Sequence, residues 1–128
     1  MGSMQNVLPG ELRVFFNHIY EYQKGVRKMI LCTLNKTYEE VAINRLKSQN
    51  ICYITHQINK RCVNIFFGDQ ECIDAIRLII DRSLTTLTPE EDFILGTLLG
   101  YDLCKQCKRF CLRKQKIEKQ NEYEFYQK

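Results

Sequence analysis

Three cysteines near the C-terminus are the strongest candidates for a chemical site in this sequence, because of their spacing. Cys104, Cys107 and Cys111 follow one another at intervals of three and four residues, which places them on one side of a helix. Thiolates at such a spacing can hold zinc or an iron–sulfur cluster. No fourth ligand is spaced nearby, and metal-binding cysteines usually come from loops. We therefore predict no metal and no cofactor, and keep a metal or redox role for these three thiols as the alternative.

A structural interpretation of the same segment is a helix with a close-packing surface. Thr88 can cap the helix, Pro89 suits its first turn, and Glu91 completes a capping box three residues after the cap. Along that helix Gly96, Gly100 and the three cysteines form a continuous ridge of small residues, which lets another helix approach closely. The ridge would serve the core of a monomer or the interface of a homodimer.

A second group of polar residues suggests a small-molecule site where the first and last helices would meet. His18 and Glu21 are three residues apart and could act as a general acid and base. Such pairs are also common surface contacts on helices, so we predict no catalytic residue and favour a protein that is not an enzyme. The candidate polar site comprises His18, Tyr20, Glu21, Lys24, Arg27, Asp92, Tyr101 and Asp102.

The positive charge of the chain is concentrated in one segment. Residues 104–119 contain seven Lys or Arg against the single acidic Glu118, whereas the remainder has 12 basic and 14 acidic residues. A patch of this kind attracts an acidic protein, an anionic membrane or a nucleic acid, although it can also be a solvated helix face. Lys105, Lys108, Arg109 and Arg113 are the predicted partner-binding residues. Nucleic acid is the less favoured partner because an aromatic signature for stacking is missing.

Length and composition predict one ordinary globular domain. The chain has 128 residues, of which 45% are hydrophobic and 27% charged, and its apolar runs are too short to span a bilayer. The chain has seven cysteines, an odd number that cannot all pair within one chain, and we see no secretory signal. Both features indicate reduced thiols and a cytoplasmic location. We expect a tag remnant and flexible N-terminus over 1–10, a single domain over 11–118, and a frayed polar tail over 119–128.

Hydrophobic periodicity predicts the order of the elements. Residues 11–23 have helical spacing, although a strand also fits there. Strands are expected over 26–34, 51–58 and 62–67, and helices over 38–49, from 70 to about 82, and from 89 onward. Thr37 is the predicted cap of the helix over 38–49, and Asp69 is the predicted cap of the helix that begins at residue 70. The fold class is α+β, with a three-stranded and mostly antiparallel sheet (β-α-β-β-α, a ferredoxin-like half), an added N-terminal helix and a long C-terminal helix.

Three stretches carry a resemblance to a known family. They are His18-Ile-Tyr-Glu21 with Lys24-Gly25-Val-Arg27, then Asn64-Ile-Phe-Phe-Gly68, then Pro89-Glu-Glu-Asp-Phe-Ile-Leu-Gly96 with Leu99-Gly-Tyr-Asp102. In this order they resemble an uncharacterised bacterial family of small proteins with a domain of unknown function, over most of residues 12–111. Cys104, Cys111 and the basic extension beyond residue 112 are not parts of that pattern.

The resemblance implies an α+β domain without an assigned activity. It also implies that the gene often lies beside a gene for flavodoxin. Flavodoxins are acidic, so a basic segment would suit a transient, salt-sensitive complex with one. The leading hypothesis is therefore a non-enzymatic protein-binding module. A small-molecule or thiol site and nucleic-acid binding are the alternatives.

Overall fold

The structure is a computed structural model that describes residues 8–80 and 84–127. The chain divides into two compact units, Met1–Leu78 and Ile79–Lys128. The single domain predicted over 11–118 stays a prediction. The first unit contains α1 (Gly10–Gln23), β1 (Met29–Asn35), a 3₁₀ turn (Lys36–Tyr38), α2 (Glu39–Ser48), β2 (Cys52–Gln57), β3 (Cys62–Gly68) and α3 (Gln70–Arg77). The second contains a 3₁₀ turn (Leu84–Thr86), α4 (Pro89–Leu98) and α5 (Leu103–Gln127).

The sheet of the first unit has three strands in the order β1-β3-β2, and both neighbouring pairs are antiparallel. β1 and β2 therefore run in the same direction on either side of β3, and α2 provides the crossover between them. These features confirm the α+β class and the three-stranded antiparallel sheet expected from the sequence. The segment that fitted a helix or a strand, residues 11–23, is helical in α1.

One face of the sheet packs against α1 and α2. The face predicted for β1, Ile30, Cys32 and Leu34, is buried there. α1 contributes Phe15, whose ring meets that of Phe67 edge-on with centroids 5.4 Å apart, and Ile19, which is also buried. Burying side chains of this size contributes about 1.5–3 kcal/mol each, so this cluster contributes substantially to the stability of the first unit.

The central strand β3 is buried on both of its faces. Phe66 is fully buried and Asn64 is 4% exposed, although they project to the face opposite the cluster. The amide oxygen of Asn64 accepts a hydrogen bond of 2.6 Å from the hydroxyl of Thr33. This bond satisfies one buried polar atom within an otherwise apolar strand.

One predicted helix cap is wrong, and a second occupies the predicted position without a side-chain bond. Asn35, not Thr37, supplies the capping side chain, because its Oδ1 accepts from the Thr37 backbone N–H at 3.0 Å. The cap belongs to the 3₁₀ turn that intervenes before α2, and Tyr38 precedes α2 without a side-chain cap. Asp69 does precede α3 but makes no capping bond, since its carboxylate is engaged by another residue described below.

Several element boundaries also differ from the prediction. β1 begins at Met29 rather than at residue 26, and β2 ends at Gln57. α3 ends at Arg77, and its expected continuation to about 82 falls partly on residues 81–83, outside the described chain. The polar segment from residue 119 to Gln127 belongs to α5, and the fraying predicted for 119–128 stays a prediction.

Candidate functional site

The second unit is built on a helical hairpin whose start the sequence predicts correctly. The hydroxyl of Thr88 accepts from the Glu91 N–H at 3.1 Å, and the Glu91 carboxylate accepts from the Thr88 N–H at 2.9 Å. Pro89 occupies the first turn, so the capping box is confirmed. This arrangement satisfies backbone donors at the helix start and fixes where α4 begins.

The prediction of one continuous helix from residue 89 onward, with a ridge of small residues along it, is wrong. α4 ends at Leu98, and Gly100 adopts a left-handed φ of +79° that stops the helix. Asp102 then starts α5, because its Oδ2 accepts from the Lys105 N–H at 2.9 Å. Cys104, Cys107 and Cys111 therefore belong to a different helix from Gly96, and all three are exposed.

Close packing does occur at one position of the predicted ridge. A Cβ added at Gly96 would lie 2.5 Å from Cδ of Gln106 and closer still to its Oε1. The absence of a side chain at Gly96 thus makes room for Gln106 of α5. Beside this contact the rings of Phe93 and Phe110 pack with centroids 5.6 Å apart.

Asp92 holds the two helices together by charge. Its Oδ2 accepts from Arg109 Nε at 2.7 Å, and its Oδ1 lies 3.2 Å from Arg109 Nη2 and 3.6 Å from Arg113 Nη1. Arg113 also donates to the Leu87 carbonyl oxygen at 3.1 Å. The hydrogen bond from Asp92 raises the pKa of Arg109 further above its ordinary value. Two of the four predicted partner-binding residues are therefore engaged inside the hairpin.

A second ion pair lies further along α5. Lys114 Nζ is 2.8 Å from Glu90 Oε1. Their hydrogen bond lowers the pKa of Glu90 and raises the pKa of Lys114. Both side chains are solvated, so the pair contributes little to stability by itself. The pair turns Lys114 toward α4.

Four lysines of α5 have no such partner among the described residues, and we call them the lysine face: Lys105, Lys108, Lys116 and Lys119. With 3.6 residues per turn they lie within an arc of about 80° on one side of the helix. All four are exposed, and within residues 8–80 and 84–127 no carboxylate lies at ion-pair distance from any of them. The other two predicted partner-binding residues, Lys105 and Lys108, are members of this face.

Apolar and aromatic groups accompany the lysine face. Leu112 is 56% exposed and Tyr123 is 62% exposed, and the same helical arc contains both. A shallow groove of about 370 Å³ runs along this part of the helix. Its lining residues are Leu112, Gln115, Lys116, Lys119, Gln120 and Tyr123. Leu112 and Tyr123 are not among the predicted partner-binding residues, although their spacing of four and seven residues from the lysines indicates the same side of the helix.

The candidate polar site divides between the two units. In the first unit Glu21 Oε2 lies 3.2 Å from Arg27 Nη2 and 3.8 Å from His18 Nδ1, and Lys24 Nζ lies 5.2 Å from the ring centroid of Tyr20. Asp92, Tyr101 and Asp102 belong to the second unit. Asp92 and Asp102 serve the hairpin, and Tyr101 is 55% exposed. A site formed where the first and last helices meet stays a prediction.

A cluster of titratable side chains around Tyr22 is not among the sites predicted from the sequence. Its hydroxyl donates to Asp69 Oδ1 at 2.7 Å, and Lys28 Nζ lies 4.0 Å from Asp69 Oδ2. Burial and the Asp69 carboxylate raise the pKa of Tyr22 to about 12. Burial likewise raises the pKa of Cys32 to about 11 and shifts the pKa of Cys72 upward. Residues 22 and 69 are too far apart in sequence for a local pattern to pair them.

Two further observations concern the whole described chain. Within residues 8–80 and 84–127, no three His, Cys, Asp or Glu side chains are placed to share a metal ion. In the same part of the chain, every helix is too short or too polar to cross a bilayer.

Residues 13–113 of the chain match a family model described as a protein of unknown function (DUF2023). The chain belongs to that family. No curated protein matches it. The matched range extends from α1 to Arg113, so it includes the contacts of Asp92, and it leaves out Lys116, Lys119 and Tyr123.

Proposed function

We propose that this protein is a non-enzymatic binding module whose lysine face contacts an acidic protein, with flavodoxin as the candidate partner. One observation carries the proposal: four exposed lysines share one side of α5 and have no acidic partner in the described chain. Unpaired cations of this kind raise the rate of association with an oppositely charged surface.

The hairpin contacts make this face suitable for recognition. Asp92 and Glu90 draw Arg109, Arg113 and Lys114 toward α4, and the lysine face is left to solvent. Because α5 is anchored at these points, its lysines keep a fixed spacing along the helix. A preorganised charged surface loses less entropy when a partner binds.

The exposed Leu112 and Tyr123 add contact area among the lysines. Protein interfaces commonly combine an aromatic or aliphatic contact with a charged rim. The groove between Leu112 and Tyr123 would take a side chain of the partner, while carboxylates of the partner meet the lysines. Such an interface is small and largely ionic, so the complex would be transient and sensitive to salt.

The resemblance to proteins encoded beside flavodoxin makes flavodoxin the first partner to test. The direct experiment mixes the purified chain with flavodoxin at low ionic strength and follows binding by NMR line broadening or calorimetry. Binding should disappear as salt is raised, because exposed charges are screened. The absence of binding at low ionic strength would reject flavodoxin as the partner.

The same experiment separates a protein partner from a nucleic acid. A short single-stranded oligonucleotide is titrated under identical conditions. A nucleic-acid-binding face would give a steep salt dependence with the oligonucleotide, whereas the proposal expects markedly tighter binding to the acidic protein.

A further inference from the structure

A feature independent of the lysine face is the edge strand β2 of the first unit. β2 lies at the end of the sheet and pairs only with β3 among the described residues. The Ile58 N–H donates to the Cys62 carbonyl at 3.1 Å. Because hydrogen-bonded pairs alternate in an antiparallel ladder, Tyr53, Thr55 and Gln57 point their backbone N–H and C=O groups away from β3.

Nothing in the composition of β2 protects this edge. Natural sheets usually protect exposed edges with lysine, proline or a bulge. The strand Cys-Tyr-Ile-Thr-His-Gln has neither lysine nor proline, and its register with β3 is regular from Cys52 to Gln57. The edge therefore presents regularly spaced donors and acceptors to an incoming chain.

A groove runs beside this edge. It has a volume of about 550 Å³ and lies between β2 and α3. The Cys52 thiol donates to Gln70 Oε1 at 2.9 Å, and Gln70 Nε2 donates to Asp74 Oδ1 at 2.8 Å. These contacts tie the start of α3 to the start of the strand. The lining residues are Ile51, Cys52, Tyr53, Ile54, Thr55, Gln70 and Arg77.

Arg77 gives the groove a positive charge. It is exposed, and no carboxylate of the described residues lies at ion-pair distance from it. A guanidinium in this position can bind a carboxylate with two parallel hydrogen bonds. The opposite edge of the sheet differs, because its groove is lined by Glu11 beside β1.

We propose that the β2 edge binds an extended, acidic peptide segment of a partner protein as a fourth strand. The backbone of the segment pairs with Tyr53, Thr55 and Gln57, and a carboxylate of the segment binds Arg77. Only an extended chain offers backbone groups at the spacing of this edge. The proposal does not depend on the lysine face, since no residue is shared between the two surfaces.

The test uses a synthetic hexapeptide of alternating valine and threonine with a glutamate at each end. Binding to the native chain is followed by NMR through the backbone amides. The shifts should be confined to β2 and α3, and the amides of Leu31 and Thr33 on the β1 edge serve as the internal control. Arg77→Gln should weaken binding about tenfold, as loss of a charge-assisted hydrogen bond predicts.

Two matched controls test the backbone pairing itself. N-methylation of alternate peptide amides removes the donors that a fourth strand needs, so the methylated peptide should not bind to the native chain. Thr55→Pro removes an outward donor without breaking a bond to β3, and it should also abolish binding. A glutamine version of the peptide should bind as weakly as the glutamate peptide binds to the Arg77→Gln variant.

Several results would overturn the proposal. They are equal binding of the methylated peptide, shifts at the β1 edge, no binding of the glutamate peptide at millimolar concentration, or an edge occupied by a second copy of the chain. The last is detected as concentration-dependent broadening at Tyr53, Thr55 and Gln57 without peptide. None of these results bears on the lysine face, because that surface is tested with its own partner and variants.

Discussion

Asp92 is the side chain that most directly joins the two helices of the hairpin. It binds Arg109 with two hydrogen bonds and also lies beside Arg113. Its side chain is only 21% exposed, so solvent screens these contacts less than it screens an open surface pair. Asp92 belongs to the predicted polar site, but its partners are 17 and 21 positions away and no local pattern indicates them.

Replacing Asp92 should destabilise the hairpin. Asp92→Asn removes the negative charge between two arginines, and we expect the free energy of unfolding to fall by about 1 kcal/mol. Urea unfolding followed by circular dichroism measures this loss. The matched control is Glu90→Gln, which breaks a more exposed pair and should cost less. Equal stability of the Asp92→Asn variant and the native chain would contradict this role.

Tyr22 makes stability depend on pH in the alkaline range. Its pKa is about 12 in the folded chain against 10.0 ordinarily, so the folded state retains the phenolic proton more tightly than the unfolded state. The corresponding stabilisation is fully present below pH 10 and is lost as pH rises through about 12. The Tyr22→Phe variant should lack this part of the loss of stability with rising pH.

Urea unfolding of both chains across that pH range tests the prediction. Cys32 also has a raised pKa, but it titrates in both chains and cancels in the comparison. Parallel declines of stability in the native and Tyr22→Phe chains would show that Tyr22 is not responsible.

At the scale of elements, the sequence predicts those features that depend on hydrophobic periodicity and on helix-capping residues. The capping box at Thr88, the inward face of β1 and the three-stranded sheet follow from residue types at fixed spacings. The end of α4 does not, because the helical spacing of small residues continues through Gly100 even though the backbone turns there. The 3₁₀ turn before α2 does not follow from the sequence either, since Thr37 and Asn35 are both favoured capping residues and lie two positions apart.

Two glycines at element ends should respond differently to alanine. Gly68 has a φ of +154°, and an added Cβ would lie 2.7 Å from the Cα of Met29 in the paired strand. Gly68→Ala should therefore cost roughly 2–3 kcal/mol, since both backbone conformation and packing are violated. Gly100 has a φ of +79° with open space around it, so Gly100→Ala should cost about 1 kcal/mol. Chemical unfolding of the two variants measures the difference, and equal losses would contradict the steric argument.

At the scale of the whole molecule, the net charge of +4 conceals an uneven distribution. The sequence showed that residues 104–119 are basic but could not separate cations that are engaged from cations that are free. That separation depends on the turn at Gly100, which brings Asp92 and Glu90 of α4 beside α5. Folding therefore turns a uniformly basic segment into an internal ionic contact and an exposed lysine face.

The most direct test of the proposed function compares two double variants of equal charge. Lys105→Gln with Lys108→Gln removes half of the lysine face, whereas Lys47→Gln with Lys60→Gln removes two exposed lysines elsewhere. Affinity for flavodoxin is measured by calorimetry at low ionic strength. We expect the first variant to bind at least about tenfold more weakly and the second to bind as the native chain does. Equal weakening of both variants would contradict a specific lysine face, as would unchanged binding of the first.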